Sequence, residues 1–370
     1  MKILFLTPWY PDDDSKHGVF VQEQARAIAK LHTVMVVSTK INYKKFGIFS
    51  FTANEFQDGL LTEQRIRIKA SFRIFNQLNY FITNFYLTRR IARKFKPDLI
   101  HGNIGYPGAL WSYLVSRAIG KPFIITEHTF IYNNFRSQLH KILTLFALKR
   151  AAIVLTVSSK AADEIRKYSV PKVRVVPNIV RVDIFDIKPF PAGAITMGFM
   201  GNLSSPIHVK GLDVLLKTVA RLSLDFRLLI GGEGSRMGEY KLLAETLGIG
   251  EKCLFFGFFP YERGPDFMRQ LHFFVNTSRY ESFGIALVES MVSGIPVVCF
   301  NNGGPSDFVR DCNGVLVENQ NEEKLLEAIK WMMANYQNYD REKIRASVIE
   351  LFTEKAFIDR MEAIYEEVSK

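Results

Sequence analysis

Short apolar runs alternate with segments of helical periodicity along this chain. Runs such as Lys2–Thr7, Asp98–Gly102 and Phe123–His128 are largely apolar without strict alternation, which is typical of strands buried on both faces of a parallel sheet. Between them, segments such as Val21–Leu31 place apolar residues on one face of a helix. The pattern predicts an α/β fold built from strand, helix, strand units.

A second series of the same kind begins at Thr196. Its predicted strands are 196–201, Phe226–Gly232, Leu254–Phe259 and His272–Asn276. The Pro- and Gly-containing stretch Lys188–Gly193 separates the two series and is the expected boundary. We therefore expect two Rossmann-like domains, residues 1–188 and 189–355, followed by an amphipathic helix over residues 356–369.

The segment Ser278–Phe300 contains the most informative arrangement of chemistry. It consists of a loop, a predicted helix at Ile285–Val292 and a short apolar strand, with Glu281 before the helix and Glu289 inside it. Carboxylates at this spacing occur elsewhere in the chain and are usually solvated. Here, however, they flank the start of a helix between buried strands, where backbone amides and the helix dipole favour an anion.

Composition fits two hydrophobic cores, since 48% of the 370 residues are hydrophobic. The three cysteines, Cys253, Cys299 and Cys312, lack metal or disulfide spacing and are interpreted as buried small residues in a reducing, cytoplasmic compartment. The first apolar run is too short for a signal peptide, and no apolar run reaches 18 residues. A membrane-spanning helix is therefore not expected.

Charge is distributed unevenly. Residues 1–190 contain 29 Lys and Arg against 13 Asp and Glu, whereas the remaining residues contain 19 against 24. The basic half is expected to meet an anionic partner, such as nucleic acid, an anionic membrane surface or a phosphorylated acceptor.

Residues 65–96 carry nine basic residues and no acid. This segment is predicted either to lie on an anionic membrane or to be a helix that covers the sheet. Nucleic acid is not expected, because no binding module is recognisable.

The stretch R-Y-E-S-F-G-I-A-L-V-E-S-M-V-S-G-I-P-V-V, residues 279–298, resembles the signature of GT-B glycosyltransferases of family GT4. Members of this family are retaining enzymes that use nucleotide sugars. The resemblance implies a GT-B fold, in which two Rossmann-like domains face each other across a cleft. It also implies that residues 356–370 cross back onto the N-terminal domain, which binds the acceptor, while the C-terminal domain binds the donor.

The resemblance also implies which residues contact the donor. Lys210 matches a lysine that meets the diphosphate, and Glu289 matches the carboxylate that holds the ribose hydroxyl groups. Asn202 stands where an arginine is usual, so Arg279 is a possible substitute. The complete set of implied donor-binding residues is Gly18, Asn202, Lys210, Gly232, Phe258, Glu281, Phe283, Gly284, Ile285 and Glu289. Gly18 is included because His17-Gly18 occupies the place of a glycine pair in the family.

His128, Glu281 and Lys210 are the expected catalytic residues. Polar residues at the carboxyl ends of parallel strands face ligands in open α/β sheets. This position makes candidate site residues of His101, Asn103, Glu127 and His128. The resemblance favours His128, and His101 is the second choice. The aspartates at 12–14 are interpreted as a solvated loop, so neither a metal nor another cofactor is expected.

The function that follows is hexose transfer from a UDP- or GDP-sugar to a hydroxyl group of a glycan or lipid-linked acceptor. The resemblance suggests cell-surface polysaccharide biosynthesis, with the protein in the cytoplasm, either free or peripheral on the inner face of the membrane. Two alternatives stay open. One is a GT-B nucleotide-sugar epimerase or hydrolase, and the other is a non-catalytic binding protein with the same fold.

Overall fold

A computed structural model of the protein describes residues 1–11, 18–43, 50–70, 73–135, 137–204 and 209–370. The chain divides into two compact units, the first formed by Met1–Ile179 with Glu354–Lys370 and the second by Val180–Thr353. The predicted solvated loop at Asp12–Asp14 and the neighbouring His17 lie outside the described residues.

Within the described residues, the first unit contains an eight-stranded sheet. Its strands are β1 (Lys2–Thr7), β2 (Thr33–Tyr43), β3 (Ser50–Asp58), β4 (Leu61–Ala70), β5 (Leu99–Asn103), β6 (Phe123–Glu127), β7 (Val154–Thr156) and β8 (Val173–Val175). Their order across the sheet is β3-β4-β2-β1-β5-β6-β7-β8, and every neighbouring pair is parallel except β3 with β4. The central strand β1 is apolar and buried from Ile3 to Leu6, as a strand covered on both faces requires.

Helices cover this sheet on both faces. They are α1 (Val19–Ala29), α2 (Arg73–Phe95), α3 (Leu110–Ile119), α4 (Gln138–Leu148) and α5 (Ser159–Arg166). Residues 65–96 are therefore not one helix, because β4 takes the first part and α2 the last. Strand β4 pairs with β2 over its whole length, and this pairing outweighs the helical propensity of residues 65–70.

The second unit contains a parallel sheet in the order β11-β10-β9-β12-β13-β14. Its strands are β9 (Ile195–Met200), β10 (Phe226–Gly231), β11 (Cys253–Gly257), β12 (Phe273–Asn276), β13 (Val297–Asn301) and β14 (Gly314–Glu318). Its helices are α6 (Leu212–Val219), α7 (Met237–Thr246), α8 (Gly264–Met268), α9 (Ile285–Val292), α10 (Glu322–Asn335) and α11 (Arg341–Phe352). This doubly wound order brings the carboxyl ends of the strands to one edge, where ligands bind in such sheets.

The last helix, α12 (Glu354–Ser369), belongs to the first unit. Phe357, Met361 and Ile364 join the core cluster that also contains Ile3 and Phe5 of β1. The apolar stripe of α12 is thus buried against the N-terminal sheet.

His101, the second choice for a catalytic histidine, is enclosed in this packing. Its Nδ1 lies 2.8 Å from the Tyr365 hydroxyl of α12, and its Nε2 lies 2.7 Å from the Thr126 hydroxyl. Burial lowers the pKa of His101 to about 3, with a further contribution from the charge of His128. Both ring nitrogens are already hydrogen-bonded, so His101 connects α12 to the sheet.

The boundary between the units lies before the Pro- and Gly-containing stretch at 188–193. The backbone N–H of Val180 donates to the carbonyl oxygen of Phe352 at 2.9 Å, and Arg345 Nη1 donates to the carbonyl oxygen of Phe185 at 2.7 Å. These bonds fasten residues 180–188 to α11, so they belong to the second unit.

The cysteines differ in their exposure. Cys299 is buried in β13 and Cys253 is partly buried, but Cys312 is exposed in the turn before β14. The prediction of three buried cysteines was therefore wrong for Cys312, which lies in a turn between elements rather than in a strand.

Candidate active site

Apart from Gly18, which belongs to the first unit, the residues implied to bind a donor lie toward the carboxyl edge of the second sheet. Asn202 follows β9, Gly232 follows β10, Phe258 follows β11, and Glu281 lies in the loop after β12. Because these four strands are neighbours in the sheet, the loops that carry the residues are neighbours too. The structure thus brings together positions that are up to about 80 residues apart in the sequence.

Gly232 is required by a close backbone contact at this edge. Its φ is +115°, and a Cβ atom there would lie 2.0 Å from the carbonyl oxygen of Gly201. The Leu203 N–H also donates to the Glu233 carbonyl oxygen at 2.9 Å. A side chain at position 232 would therefore separate the loops that follow β9 and β10.

Asn202 acts locally in this structure. Its Oδ1 accepts a hydrogen bond from the Ser204 backbone N–H at 2.8 Å, so the side chain stabilises a turn. Phe258 and Phe256 are 51% and 39% exposed, respectively, so neither ring is a core residue. Both are on or just after the edge strand β11, which leaves their rings at the surface.

Lys210 and Glu281 form an ion pair at the centre of the site. Lys210 Nζ lies 2.8 Å from Glu281 Oε2, and the same oxygen accepts hydrogen bonds from Ser278 Oγ at 3.2 Å and Asn276 Nδ2 at 3.5 Å. Burial opposes ionisation of Glu281, but the Lys210 ammonium and these hydrogen bonds hold its pKa below the usual range. Glu281 is therefore a carboxylate at neutral pH and does not carry a proton to donate.

Asn276 and Ser278 were missed by sequence reasoning. They lie at the carboxyl end of β12 and directly after it, so the strand-end rule that selected His128 applies to them as well.

Helix α9 begins at the site with amides that have no partner inside the helix. Gly284 is its N-cap, with φ of 100° and no capping side chain. The amides of Phe283, Gly284 and Ile285 stand at this end, where an α-helix leaves its first N–H groups available. The Phe283 ring is buried against Phe308 and Phe352, so only its backbone can serve a ligand.

Glu289 is buried in α9 rather than solvated. It is 4% exposed, and burial raises the pKa of its carboxyl group to about 7, although a hydrogen bond with the Tyr261 side chain opposes this rise. The Tyr261 hydroxyl oxygen in turn accepts a hydrogen bond from the Arg181 N–H at 3.4 Å. Tyr261 and Arg181 thus orient Glu289, and no sequence motif pointed to either of them.

Arg279 does not take the place of the missing arginine in this structure. Its Nη1 and Nη2 lie 3.0 and 2.9 Å from the two carboxylate oxygens of Asp213 in the first turn of α6. This bidentate geometry is among the stronger ion-pair arrangements, and it ties the loop after β12 to α6.

His128 lies on the first unit, directly after β6. It is 4% exposed, and its Nε2 is 2.9 Å from Asn103 Oδ1. Burial lowers the pKa of His128 to about 3, although a hydrogen bond with Asn178 raises it in part. His128 is consequently neutral at pH 7 and can form hydrogen bonds to a substrate, but it does not supply a positive charge.

Asn103 and Glu127 lie near His128 and differ in their hydrogen bonding. Asn103 Nδ2 is buried with no hydrogen-bond partner among the described residues, which leaves a donor for a ligand. Glu127 accepts hydrogen bonds from the N–H groups of Gly105 and Thr129 at 2.6 and 2.8 Å. Glu127 therefore holds the loops around His128.

Gly18 has a local structural reason to be glycine. It is the N-cap of α1 with φ of 89°, and a Cβ atom would lie 2.5 Å from the carbonyl carbon of Trp9. This contact explains the residue type without a ligand, so a role of Gly18 in donor binding stays a prediction.

Family models match both halves of the chain. Residues 17–184 match the family model described as Glycosyltransferase Family 4, and residues 181–348 match the model described as Glycosyl transferases group 1. The 2-deoxystreptamine N-acetyl-D-glucosaminyltransferase of Streptomyces fradiae is 26% identical over 251 residues, which are 59% of this chain and 58% of that protein.

A second relative acts on a lipid diphosphate according to its name. It is the N-acetylgalactosamine-N,N'-diacetylbacillosaminyl-diphospho-undecaprenol 4-alpha-N-acetylgalactosaminyltransferase of Campylobacter jejuni, which is 28% identical over 234 residues. That match covers 60% of this chain and 63% of the relative. The alignments therefore span less than two thirds of the length of either relative.

The fold is shared with a solved structure. Anabaena HepE in complex with UDP and glucose superimposes with a TM-score of 0.78 at 18% identity, covering 99% of each chain. The predicted GT-B fold is confirmed. With two adjoining family models that together match residues 17–348, the chain belongs to the group 1 glycosyltransferases of family GT4, as its sequence resemblance indicated.

Proposed function

We propose that this protein is a retaining glycosyltransferase that moves a hexose from a UDP- or GDP-sugar to a hydroxyl group of a glycan or lipid-linked acceptor. The observation that carries the proposal is the Lys210–Glu281 ion pair at the start of α9, with Glu289 buried inside the same helix. Such a site offers a cation and amides to a diphosphate and a carboxylate to a ribose diol.

The leaving diphosphate gains negative charge as the glycosidic bond breaks. Lys210 has three N–H donors, of which one is directed to Glu281, so the ammonium can serve a phosphate oxygen at the same time. Together with the amides at Phe283–Ile285, it stabilises the charge that develops in the transition state. In the proposed reaction, Lys210 and the N-terminal end of α9 stabilise the charge on the leaving diphosphate, a role that a divalent metal ion has in other enzymes. The proposed reaction is therefore metal-independent.

The other two predicted catalytic residues can both form hydrogen bonds to substrate hydroxyl groups. Glu281, ionised at neutral pH, accepts hydrogen bonds from hydroxyl groups of the hexose. The family resemblance implies that His128, neutral at neutral pH, forms a hydrogen bond to the reacting sugar. Retention of the anomeric configuration rests on the family resemblance.

We place the protein in the cytoplasm, where it would act in the biosynthesis of a cell-surface polysaccharide. The name of the Campylobacter jejuni relative, which specifies a diphospho-undecaprenol acceptor, supports a lipid-linked acceptor. The excess of basic residues in the first 190 positions supports an anionic one.

We expect a UDP- or GDP-sugar to raise the melting temperature of the protein, because a ligand at 100 times its Kd stabilises the folded state by about 2.7 kcal/mol. A thermal-shift screen over UDP-, GDP- and ADP-sugars measures this. With the donor identified, NMR of the product gives the anomeric configuration. Absence of any shift would remove the proposed function, and release of free sugar with no transfer to any acceptor would favour a hydrolase.

Helix α2 offers a surface suited to an anionic membrane. Ile82 and Tyr86 are exposed large side chains, and Arg90, Arg93 and Lys94 are exposed basic residues. The spacing of residues 82, 86, 90 and 93 places them along one face of the helix. Across the part of the chain that the structure describes, none of the helices combines the length and apolar character needed to cross a bilayer.

If α2 lies on the membrane surface, the triple variant Arg90→Gln, Arg93→Gln, Lys94→Gln should bind anionic vesicles about 100-fold more weakly. Each basic residue near such a surface contributes about 1 kcal/mol. Co-sedimentation with phosphatidylglycerol vesicles measures the partition coefficient. The matched control removes the same charge from α5 and its C-cap, with Lys160, Arg166 and Lys167 changed to Gln. An equal loss in both variants, or no binding by the parent protein, contradicts a specific role for α2.

A further inference from the structure

Glu63 is a buried carboxylate that has no part in the proposed chemistry. It lies in β4 and is 7% exposed. Leu61, two residues earlier and on the same face of the strand, joins the core cluster that contains Val21 and Ala25 of α1. Glu63 thus lies on the face of the sheet that α1 covers, where a carboxylate is costly to bury unless it is paired and hydrogen-bonded.

Tyr10, Gln22 and Arg65 all donate hydrogen bonds to this carboxylate. The Tyr10 hydroxyl donates to Glu63 Oε1 at 2.6 Å, and Gln22 Nε2 donates to the same oxygen at 3.3 Å. Arg65 Nε and Nη2 donate to Glu63 Oε2 at 3.1 and 2.5 Å. Burial alone would raise the pKa of Glu63, but the hydrogen bonds from Tyr10 and Arg65 outweigh burial and lower it. Glu63 is therefore ionised at neutral pH.

These hydrogen bonds join the two ends of the connection between β1 and α1. Tyr10 follows β1, and Gln22 lies in the first turn of α1. The same two ends touch at Gly18, where a Cβ atom would lie 2.8 Å from the Tyr10 backbone nitrogen. Because Glu63 belongs to the sheet, it fastens the start of α1 to the strands beneath the helix.

The start of α1 in turn packs against His128. The Phe20 ring centroid lies 4.6 Å from that of His128, at an interplanar angle of 47°. One turn further along α1, Gln24 Nε2 donates to Asn178 Oδ1 at 3.1 Å, and Asn178 forms a hydrogen bond with His128. A shift of the first turns of α1 would therefore alter the placement of the imidazole.

We infer that Glu63 is a positioning residue for sugar transfer, because it holds the start of α1 through Tyr10 and Gln22 while α1 holds His128. The inference rests on the proposed function, in which His128 forms a hydrogen bond to the reacting sugar. Replacing a buried ion pair by apolar residues is often neutral for stability, so stability alone does not explain the pairing of Glu63 with Arg65. Misplacing a reacting group by about 1 Å can slow a reaction about 100-fold, which makes such a contact valuable.

The test variant is Glu63→Leu, which keeps a side chain of similar size and removes every hydrogen bond to the carboxylate. Arg65, whose side chain is 22% exposed, can then turn toward solvent. Tyr10→Phe is the milder variant, since it removes only a hydroxyl group, and it carries the test if Glu63→Leu fails to fold. Glu55→Leu, which changes an exposed glutamate of the neighbouring strand β3, is the matched control.

The first measurement follows the His128 ring by NMR in protein with isotope-labelled histidine, and it needs no substrate. The ring resonance of His128 is assigned by its loss in His128→Gln, and it reports the adjacent Phe20 ring through the ring current. Glu63→Leu and Tyr10→Phe should each shift this resonance, while the resonance of His272 in the second unit stays in place.

A His128 resonance that is unchanged in both folded variants overturns the inference. An equal shift of this resonance in Glu55→Leu overturns it as well, because the effect would then not depend on the Glu63 carboxylate. A parent protein that transfers no sugar would remove the proposed function and leave the NMR result on α1 intact, so the two failures are distinguishable.

The second measurement is transfer with the donor found in the screen. We expect Glu63→Leu to lower kcat roughly 10- to 100-fold, with a smaller loss in Glu63→Gln, whose amide keeps part of the hydrogen bonding. The Kd and the number of sites for the free nucleoside diphosphate should stay at the parental values, because the proposed nucleotide site lies in the second unit. Parental kcat in Glu63→Leu overturns the inference, as does a parallel fall in kcat and in the number of nucleotide sites, which marks a folding defect.

A double-mutant cycle tests whether Tyr10 acts through Glu63. If it does, adding Tyr10→Phe to Glu63→Leu should lower kcat little further, because the hydrogen bond between the two residues is already lost. Fully additive losses would mean that the two side chains act independently, and that result overturns the inferred chain of contacts from Glu63 to His128.

Discussion

Replacing Lys210 by alanine is expected to lower the rate of sugar transfer by about 10²–10³, the loss found when one preorganised donor to a developing oxyanion is removed. The ammonium is directed at the start of α9, where the proposed diphosphate leaves. Single-turnover kinetics with saturating donor isolate the chemical step from binding.

The same substitution should also destabilise the protein, because Glu281 is 9% exposed and would lose its cation. Breaking a buried ion pair by removing one partner costs about 3–5 kcal/mol, and we expect the lower end since the Lys210 side chain is 30% exposed. A melting temperature lowered by roughly 10 °C would be consistent with this cost.

A double variant separates the two effects. Lys210→Ala with Glu281→Gln leaves no unpaired charge at the site, so its melting temperature should recover most of the loss while the transfer rate stays low. If the single variant keeps parental turnover, Lys210 is not the group that stabilises the leaving diphosphate. If the double variant regains turnover, the defect of the single variant was one of folding.

Much of the second unit followed from sequence pattern because its signals are local. The helix predicted at Ile285–Val292 has those bounds in the structure, since Gly284 starts it and Gly294 follows its end. The strands before and after it are short apolar runs with unambiguous flanks. Gathering the strand ends at one edge then needs only the general rule for open α/β sheets.

What the sequence did not reveal depends on contacts between distant residues. Lys210 and Glu281 are 71 residues apart, and no periodicity or motif indicates that they pair. Arg279 was considered as a phosphate ligand, yet Asp213 on α6 binds it. Tyr261 likewise reaches Glu289 from a turn after β11. Each of these partners is selected by the three-dimensional arrangement of loops.

Strand β3 was missed for a related reason. It is the edge strand Ser50–Asp58, antiparallel to β4, and its sequence carries polar residues at many positions. An edge strand that is solvated on one side lacks the continuous apolar run by which the buried strands were found.

Replacing Glu289 by glutamine is expected to weaken binding of the nucleotide sugar by about tenfold at pH 8, with a smaller effect as the pH falls to 6. The pKa of Glu289 is raised to about 7 by burial, so the parental carboxylate is mostly ionised at pH 8 and mostly protonated at pH 6. Only the ionised form accepts hydrogen bonds from both hydroxyl groups of a ribose. The parental Kd should therefore rise about tenfold between pH 8 and pH 6, while the variant's Kd stays flat.

Calorimetry with the intact nucleotide sugar is the suitable measurement, because its diphosphate is a diester that does not titrate in this range. Glu350→Gln, which changes an exposed glutamate of α11, is the control and should keep the parental pH dependence. A parental Kd that does not change between pH 6 and pH 8, or a variant that binds as tightly as the parent at pH 8, contradicts the ribose role.

The Glu289 carboxylate should lower the stability of the folded protein when no ligand is bound. A folded-state pKa above the unfolded value of 4.5 means that Glu289 stabilises the folded protein below pH 4.5, and that this contribution is lost as the pH rises through 7. Above pH 7 the loss amounts to roughly 3 kcal/mol. Glutamine does not titrate, so Glu289→Gln should unfold at a higher denaturant concentration than the parent at pH 8, with a difference that shrinks toward pH 4.5. A variant that binds donor more weakly and yet is more stable would identify Glu289 as a residue whose burial serves the ligand rather than the fold.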